Sequence, residues 1–420
     1  MSNEKISEVA RTVEAADEFS NQRVPLSEKR SFLSLLTVSL GYVFVVTSMQ
    51  VGGSIGVAMN FREGFWAIML SSVILAVLAC IMGVIGAKSG LTLGLLSKYS
   101  FGQAGTYVPV AIVAITTIGW FSIDAYLIGQ STNALFTWAP IIPVAILGGI
   151  GMTLTALKGM KWMTYLSNLA VPLIVIFGII SMVIAIRDSG GMAAMMNLTQ
   201  EGGNMGFATA VSLGVGSYAV GAVMFTPDIM RFAKSAKTAV IAMIITMVIG
   251  NSFVVLFGAV GAVATGNPDI AYVLAAQNLL APSFAVLVLN IWSTAQGCVY
   301  SGSMSLSSVS SIKRSHLVLG FGAIGIIFAI IGFYNYFGTY INFLASTVPP
   351  LAGIFLADYL FVYRQGYPEM AEARLPKVNI GGFLAWAGGF LLSLLPVGMP
   401  VVNAVAAAFI IKAVAGMAKK

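Results

Sequence analysis

Asp124 stands in the middle of a long apolar run, Thr116-Thr117-Ile118-Gly119-Trp120-Phe121-Ser122-Ile123-Asp124-Ala125-Tyr126. A carboxylate at that depth is costly, and such a position is a functional candidate by default. Trp120 precedes it by four residues, so on a helix both side chains leave from one face. An aromatic plate beside a carboxylate meets the two needs of a flat nitrogen heterocycle: a ring to stack on and an acceptor for its N–H groups. Tyr218, in Gly214-Val215-Gly216-Ser217-Tyr218-Ala219-Val220-Gly221, can supply an opposing plate. The plain alternatives are an ordinary core role for Trp120 and a structural acceptor role for Asp124.

A second polar group suits a cation. Asn290-Ile291-Trp292-Ser293-Thr294-Ala295-Gln296-Gly297 places two adjacent hydroxyls and two carboxamides inside an apolar segment. Such hydroxyls, with carbonyls freed from an unwound helix, make an all-oxygen cage for a small cation. Ser and Thr also bond back to their own helix carbonyls, so Asn290 and Gln296 add weight to the functional reading. Two glycine-rich stretches could supply unwound backbone: Ser48-Met49-Gln50-Val51-Gly52-Gly53-Ser54-Ile55-Gly56 and the segment around Tyr218. Glycine costs a helix about 1 kcal/mol per residue. Paired interruptions at corresponding positions of two repeats point to the broken helices of a transporter. The alternative at Gly52 and Gly56 is close helix packing of the GxxxG kind.

These groups need elements that carry them through a membrane. The 420 residues are 58% hydrophobic and 9% charged, against about 25% charge in an average soluble domain. That balance excludes a soluble enzyme, a disordered tail protein and a disulfide scaffold. Apolar runs of about 18 residues or more recur throughout, the length a bilayer core asks of a helix. They give twelve candidate spans, at 32–59, 64–87, 106–133, 140–157, 162–187, 207–228, 238–264, 281–307, 316–333, 335–357, 380–396 and 399–416. The chain is thus expected to be an all-α polytopic membrane protein with 12 transmembrane helices.

The net charge of +7 is a matter of orientation. With both termini inside, 20 of the 22 Lys and Arg residues fall on the inner side, and Arg62 and Arg187 alone fall outside. This obeys the positive-inside rule and leaves no basic patch for nucleic acid. Residues 1–30 read as a polar cytoplasmic tail, expected to be mobile. Asp228 and Asp358 lie at inner span ends near Arg231 and Arg364, where ion pairing or helix termination is expected. Cys80 and Cys298, far apart in apolar segments, read as small packing residues. The single His316 lies beside Lys313 and Arg314. With no metal or nucleophile constellation and no GxxxxGK[ST] loop, neither an enzyme nor a direct ATP drive is expected. No charged ring or filter motif supports a channel.

In sequence order, Gly86-Ala87-Lys88-Ser89-Gly90-Leu91-Thr92, Ser100-Phe101-Gly102, Gly119-Trp120-Phe121, Gly216-Ser217-Tyr218, Asp228-Ile229-Met230-Arg231-Phe232, Asn290-Ile291-Trp292-Ser293-Thr294, Ala357-Asp358-Tyr359 and Pro400-Val401-Val402-Asn403-Ala404 form a series. Through them the chain resembles the nucleobase:cation symporter-1 (purine-cytosine permease) family from about Lys29 to Lys412, and is similar in pattern to its bacterial cytosine permeases. The resemblance implies a leucine-transporter-like fold: a 5+5 inverted repeat plus two extra helices, working by alternating access. The corresponding divisions are 1–30 for the tail, 31–187 for repeat 1, 207–357 for repeat 2 and 379–416 for spans 11 and 12. It also implies that Trp120 stacks on the substrate, with Tyr218 opposite where cytosine permeases carry Phe. Backbone groups at Gly216 and Ser217 would bond the ring edge, with Gln296 and Gln50 as further polar partners. Ser293 and Thr294 would hold sodium, joined by Asn290 and by span 1 carbonyls near Val45 and Ser48.

Two departures from the family pattern bear on the substrate. Ala295, followed by Gln296, stands where cytosine permeases carry Asn, and Asp124 stands where members carry a small residue or Gln. The expected function is symport of cytosine or a related aminopyrimidine or purine with Na+, or with H+ if Asp124 carries a proton. The alternatives are a hydroxymethylpyrimidine-type heterocycle, whose amidine-like edge pairs with a carboxylate, and an amino acid or osmolyte carried on the same fold. No organic cofactor, nucleic-acid partner or obligate protein partner is expected. The partners are the heterocycle and the bilayer, in the inner membrane of a bacterial cell.

Overall fold

The computed structural model describes residues 19, 22–157, 160–200, 203–307, 309–310, 312–364, 366–370, 372–395 and 397–417, with the side chains of 160–169 left out. Most of the expected tail, and the basic residues Lys158, Lys419 and Lys420 counted above, lie outside these. The chain is helical almost throughout. In order come α1 (Phe32–Val43), α2 (Val46–Ala58), α3 (Phe61–Ser89), α4 (Leu93–Phe101), α5 (Tyr107–Leu135), α6 (Ile141–Ala156), α7 (Met160–Asp188) and α8 (Phe207–Gly216). Then follow α9 (Gly221–Met230), α10 (Ala236–Thr265), α11 (Ile270–Ala276), α12 (Leu280–Ser307), α13 (Arg314–Ile330), α14 (Phe333–Val362), α15 (Ile380–Ser393) and α16 (Pro400–Met417).

Among the described residues seven helices are long and apolar enough to cross a membrane. Two bent pairs act as one span each: α1 with α2, bent by 54°, and α8 with α9, bent by 44°. Three shorter apolar helices, α6, α13 and α15, occupy the remaining expected positions. Twelve spans are consistent with this arrangement. The loop helices α4 and α11 were not anticipated: each is under ten residues long, too short for its periodicity to stand out beside the apolar runs. Each starts on a side-chain cap, Thr92 accepting from the Leu95 N–H and Asp269 from the Ala271 N–H.

The first span breaks at Phe44–Val45 and not at its glycines, which corrects the expectation of unwinding within Ser48–Gly56. Those residues form the body of α2, and their glycines serve close approach. A Cβ at Gly52 would meet the Val255 carbonyl oxygen at 1.8 Å, one at Gly56 that of Ala259 at 2.5 Å, and one at Gly258 that of Met49 at 1.8 Å. α2 and α10 therefore touch backbone to backbone, the packing reading of the GxxxG spacing. In the sixth span the break does fall within the glycine-rich stretch, at Ser217–Val220, followed by a π-helical turn over Gly221–Phe225.

The face rich in Lys and Arg is tied together by the described part of the N-terminal segment, which is more than a tail. The Val24 N–H donates to the Gly90 carbonyl at 3.0 Å, and Arg30 bridges to Ala233. Arg23 reaches the Tyr367 carbonyl at 2.8 Å and Glu369 at 3.4 Å. Lys29 donates to the Arg231 carbonyl at 2.6 Å. Asp228 accepts the Leu93 N–H at 2.8 Å.

Asp358 pairs with Lys412 of α16 at 3.3 Å rather than with Arg364, both side chains being at least 97% buried. Ser100 serves both partners, its hydroxyl donating to Asp358 at 2.6 Å and its carbonyl accepting from Lys412 at 2.8 Å. Removing one member strands a buried charge. Lys412→Met alone should destabilise the protein by about 3–5 kcal/mol, while Lys412→Met with Asp358→Leu should recover most of that loss. Thermal unfolding of the detergent-purified variants checks the order.

Candidate substrate and cation site

The break of the first span governs the local geometry. Helix ends leave backbone groups without partners, and at Phe44–Val46 these are buried. Asn290 of α12 satisfies one of each kind: its Nδ2 donates to the Phe44 carbonyl at 2.7 Å and its Oδ1 accepts the Val46 N–H at 3.1 Å. A carboxamide offers a donor and an acceptor on separate atoms of one tip, enough to reach both ends of the break. Asn290 is thereby committed to holding the break. Ser293 and Thr294, three and four residues on, lie on the same stretch of α12, and both hydroxyls donate to the Asn290 carbonyl at 2.9 Å. Their oxygens keep lone pairs for a cation. Ser48, near the start of α2, is fully buried, and its hydroxyl has no hydrogen-bond partner among the described residues. The Val45 carbonyl accepts the Ser48 N–H at 3.1 Å.

The aromatic side of the site lies on α5. α5 and α12 run antiparallel: the Tyr107 hydroxyl donates to the Val309 carbonyl, and Gly302 is pressed against Thr117. The same register brings Asp124 near Cys298. Trp120 is 8% exposed and has two rings edge-on to it among the described residues, Tyr340 at 5.5 Å and Phe337 at 6.5 Å. Gly119 makes room for Tyr340, whose ring a Cβ there would meet at 2.6 Å, and the Tyr340 hydroxyl donates to the Thr116 carbonyl.

One turn beyond Trp120, Asp124 is 1% exposed, and neither carboxylate oxygen has a hydrogen-bond partner among the described residues. Gln296 is also 1% exposed, and both atoms of its carboxamide tip are unpartnered. Cys298 and Tyr340 lie within the field of Asp124. Thr347 of α14 adds another buried hydroxyl without a partner. Native proteins leave few buried polar groups unsatisfied, and each such group calls for an explanation. Asp124 thus offers a ligand two carboxylate acceptors one turn from an indole.

The sixth-span residues enter from the other side. A Cβ at Gly216 would strike the Ile341 carbonyl oxygen at 2.3 Å, so the break between α8 and α9 is pressed against α14. The Ser217 hydroxyl donates to the Gly214 carbonyl at 2.7 Å. Tyr218 is half-buried, with its ring lying over Gly221 and not in direct contact with Trp120. Gln50 is turned toward another group: its Nε2 donates to the Tyr334 hydroxyl at 2.5 Å, and its Oε1 lies 3.5 Å from the Ile270 N–H.

Sequence reasoning missed Tyr340, Phe337, Thr347 and Cys298. The aromatic cluster Phe333-Tyr334-Asn335-Tyr336-Phe337-Gly338-Thr339-Tyr340 was the available signal, but in a membrane chain aromatics near a span end read as an interfacial belt.

A model of the family described as permeases for cytosine/purines, uracil, thiamine and allantoin matches residues 24–418. The chain is 34% identical to the cytosine permease of Escherichia coli (strain K12) over 391 residues, 92% of this chain and 91% of that protein. It is 24% identical to the hydantoin permease of Microbacterium maritypicum over 309 residues, 66% of this chain and 62% of that one. Among solved structures it is similar to the inward-facing form of Mhp1, with a TM-score of 0.82 at 20% identity, covering 95% of this chain and 93% of that one. A Na+-coupled sialic acid symporter matches with a TM-score of 0.61 at 12% identity, over 99% of this chain and 96% of that one. These neighbours carry the inverted-repeat transporter fold. The chain is a permease of the cytosine/purine family, the nucleobase:cation symporter-1 group.

Proposed function

We propose that this permease is a secondary active symporter that imports a nucleobase, cytosine or a related aminopyrimidine or purine, by alternating access in the inner membrane. Its Lys/Arg-rich face and both termini are then cytoplasmic, and residues 31–187 and 207–357 are the two repeats. The observation that carries this reading is Asp124, a buried carboxylate with no hydrogen-bond partner among the described residues, one turn from Trp120 on the same helix. The cytosine permease and hydantoin permease relatives support the substrate class.

In this reading Trp120 takes one face of the ring, and Tyr218 swings from Gly221 to cover the other. Asp124 and Gln296 bond the ring edge, with backbone groups at Gly216 and Ser217. Each hydrogen bond formed there relieves a group that is otherwise desolvated without return, so binding gains most when the whole edge matches. A substrate carboxylate would be repelled by Asp124, which disfavours an amino acid. Na+ would sit at the break of the first span, on the hydroxyls of Ser293 and Thr294 and on oxygens of Val45 and Ser48. Asn290 holds the break and contributes at most its remaining Oδ1 lone pair. Coupling follows from position, because the cation and the substrate both bear on α2, α12 and the break between α1 and α2. A second reading, H+ in place of Na+, is favoured by one observation: among the described residues no cation pairs with Asp124.

Three variants test these roles by binding of labelled cytosine, adenine and uracil to the purified protein. Trp120→Ala should weaken the preferred base by about 1–3 kcal/mol, the range for one base stacked on one aromatic side chain. Asp124→Asn should cost about 1.5–3 kcal/mol for amino-bearing rings, as a charge-assisted bond is lost, and less for uracil. Ser293→Ala with Thr294→Ala should leave affinity in K+ unchanged and abolish its enhancement by Na+. Unchanged binding in the first two variants contradicts the site assignment. An intact Na+ enhancement in the third contradicts the cation assignment.

A further inference from the structure

A second buried carboxylate, Asp269, is used by neither the ring site nor the cation site, and by topology it lies in the loop after the seventh span, away from the Lys/Arg-rich face. Asp269 opens α11, is 3% exposed, and accepts the Ala271 N–H through Oδ1 at 2.7 Å. Its Oδ2 has no partner among the described residues. Four elements converge on it. Gln50 of α2 reaches Tyr334 and the Ile270 N–H. Tyr334, in the first turn of α14, stacks on Tyr126 of α5, with centroids 4.5 Å apart and planes 18° from parallel. Tyr272 of α11 reaches Asn133 of α5 at 3.3 Å. Gly53 of α2 lies so close to the preceding loop that a Cβ would meet the Pro268 carbonyl oxygen at 2.0 Å.

These contacts form a latch that joins α2, α5, α14 and the loop before α11 across the chamber mouth. The titratable groups facing Asp269 are Tyr126 from α5, Tyr334 from α14 and Tyr272 from its own helix. α2 contributes the uncharged Gln50. No ion pair among the described residues includes Asp269. Three phenols and an amide can tolerate a neutral acid, but they offer an anion no opposite charge.

We propose that Asp269 is a proton-binding site of the outer latch, occupied when the latch is closed over the chamber and vacated when its elements part. The proposal rests on the transporter reading above, and in particular on an outer face that opens. Burial pushes the closed-state carboxyl from its ordinary 3.8 up to about 6, against the opposing pull of the Ala271 and Tyr272 N–H groups and of Gln50. In the parted latch the carboxyl meets water and returns to its ordinary value. The sign follows from linkage: a group whose value is raised in the closed state favours closure fully below about pH 4, and the advantage is lost as pH rises through about 6. A shift of about two units changes the open-to-closed ratio roughly a hundredfold over the whole window, and about tenfold between pH 5 and pH 7.

The test uses the full chain with Cys80→Ser, which leaves Cys298, in the chamber beside Asp124, as the single thiol. A membrane-impermeant methanethiosulfonate is applied from outside to right-side-out vesicles without substrate, over pH 5 to 7. The same titration with Asp269→Asn cancels the thiol's own ionisation. The ratio of the two modification rates should rise about tenfold across that range, with Asp269→Ala as the reference giving the same rise. A flat ratio overturns the proton site, as does a Cys298 that never reacts from outside while uptake is intact. The readout needs no substrate. A flat ratio with base binding intact therefore removes this inference alone, whereas loss of the substrate assignment shows in the Trp120 and Asp124 variants.

Discussion

A helix that breaks inside an apolar layer exposes backbone N–H and C=O groups that protein alone can satisfy. In this permease that constraint falls at Phe44–Val46, and one carboxamide, that of Asn290, meets it at both ends. The rest of the site follows from this pin. Asn290 fixes α12 against the break, and Ser293 and Thr294 follow within one turn, their hydroxyls donating to the Asn290 carbonyl. If the cation binds at Ser293 and Thr294 as proposed, α12 links it to the ring site, because Cys298 of the same helix lies in the field of Asp124.

The second half of the design is deliberate incompleteness. Some buried polar groups are paired fully, as in the Asp358–Lys412 pair that Ser100 serves from both its hydroxyl and its carbonyl. Others, Asp124, Gln296, Ser48 and Thr347 among them, are left without hydrogen-bond partners among the described residues. Such groups are expensive in isolation, and the close backbone packing of α2 on α10 through Gly52, Gly56 and Gly258 supplies a scaffold stiff enough to hold them. A ligand that completes the set gains what the protein alone forgoes.

Much of this was legible in the sequence. Twelve apolar runs, the four-residue Trp120–Asp124 spacing on one buried helix and the sixth-span break at Ser217 are local signals, and each depends on residue type and period alone. The first-span break was misplaced because Gly52, Gly53 and Gly56 suggest unwinding equally well as tight packing. Only the presence of the Val255, Pro268 and Ala259 carbonyls against them separates the two. The true break at Phe44–Val45 has no local signature, since its stabiliser lies some 245 residues away in the chain. Gln50 was expected at the substrate, but its partner Tyr334 lies 284 residues further along the chain. Tyr340 and Phe337 were missed for the same reason. What decides a side chain's role here is which helix crosses it, and periodicity carries no record of crossings.

The most direct measurement of the central claim, coupled nucleobase symport, is uptake of radiolabelled cytosine into proteoliposomes under an imposed Na+ gradient, an imposed proton gradient, or neither. The expected result is accumulation above the equilibrium level with an inward Na+ gradient and simple equilibration without one. Accumulation driven by protons alone would move the coupling ion to Asp124. No uptake of cytosine, adenine or uracil under either gradient would contradict the claim.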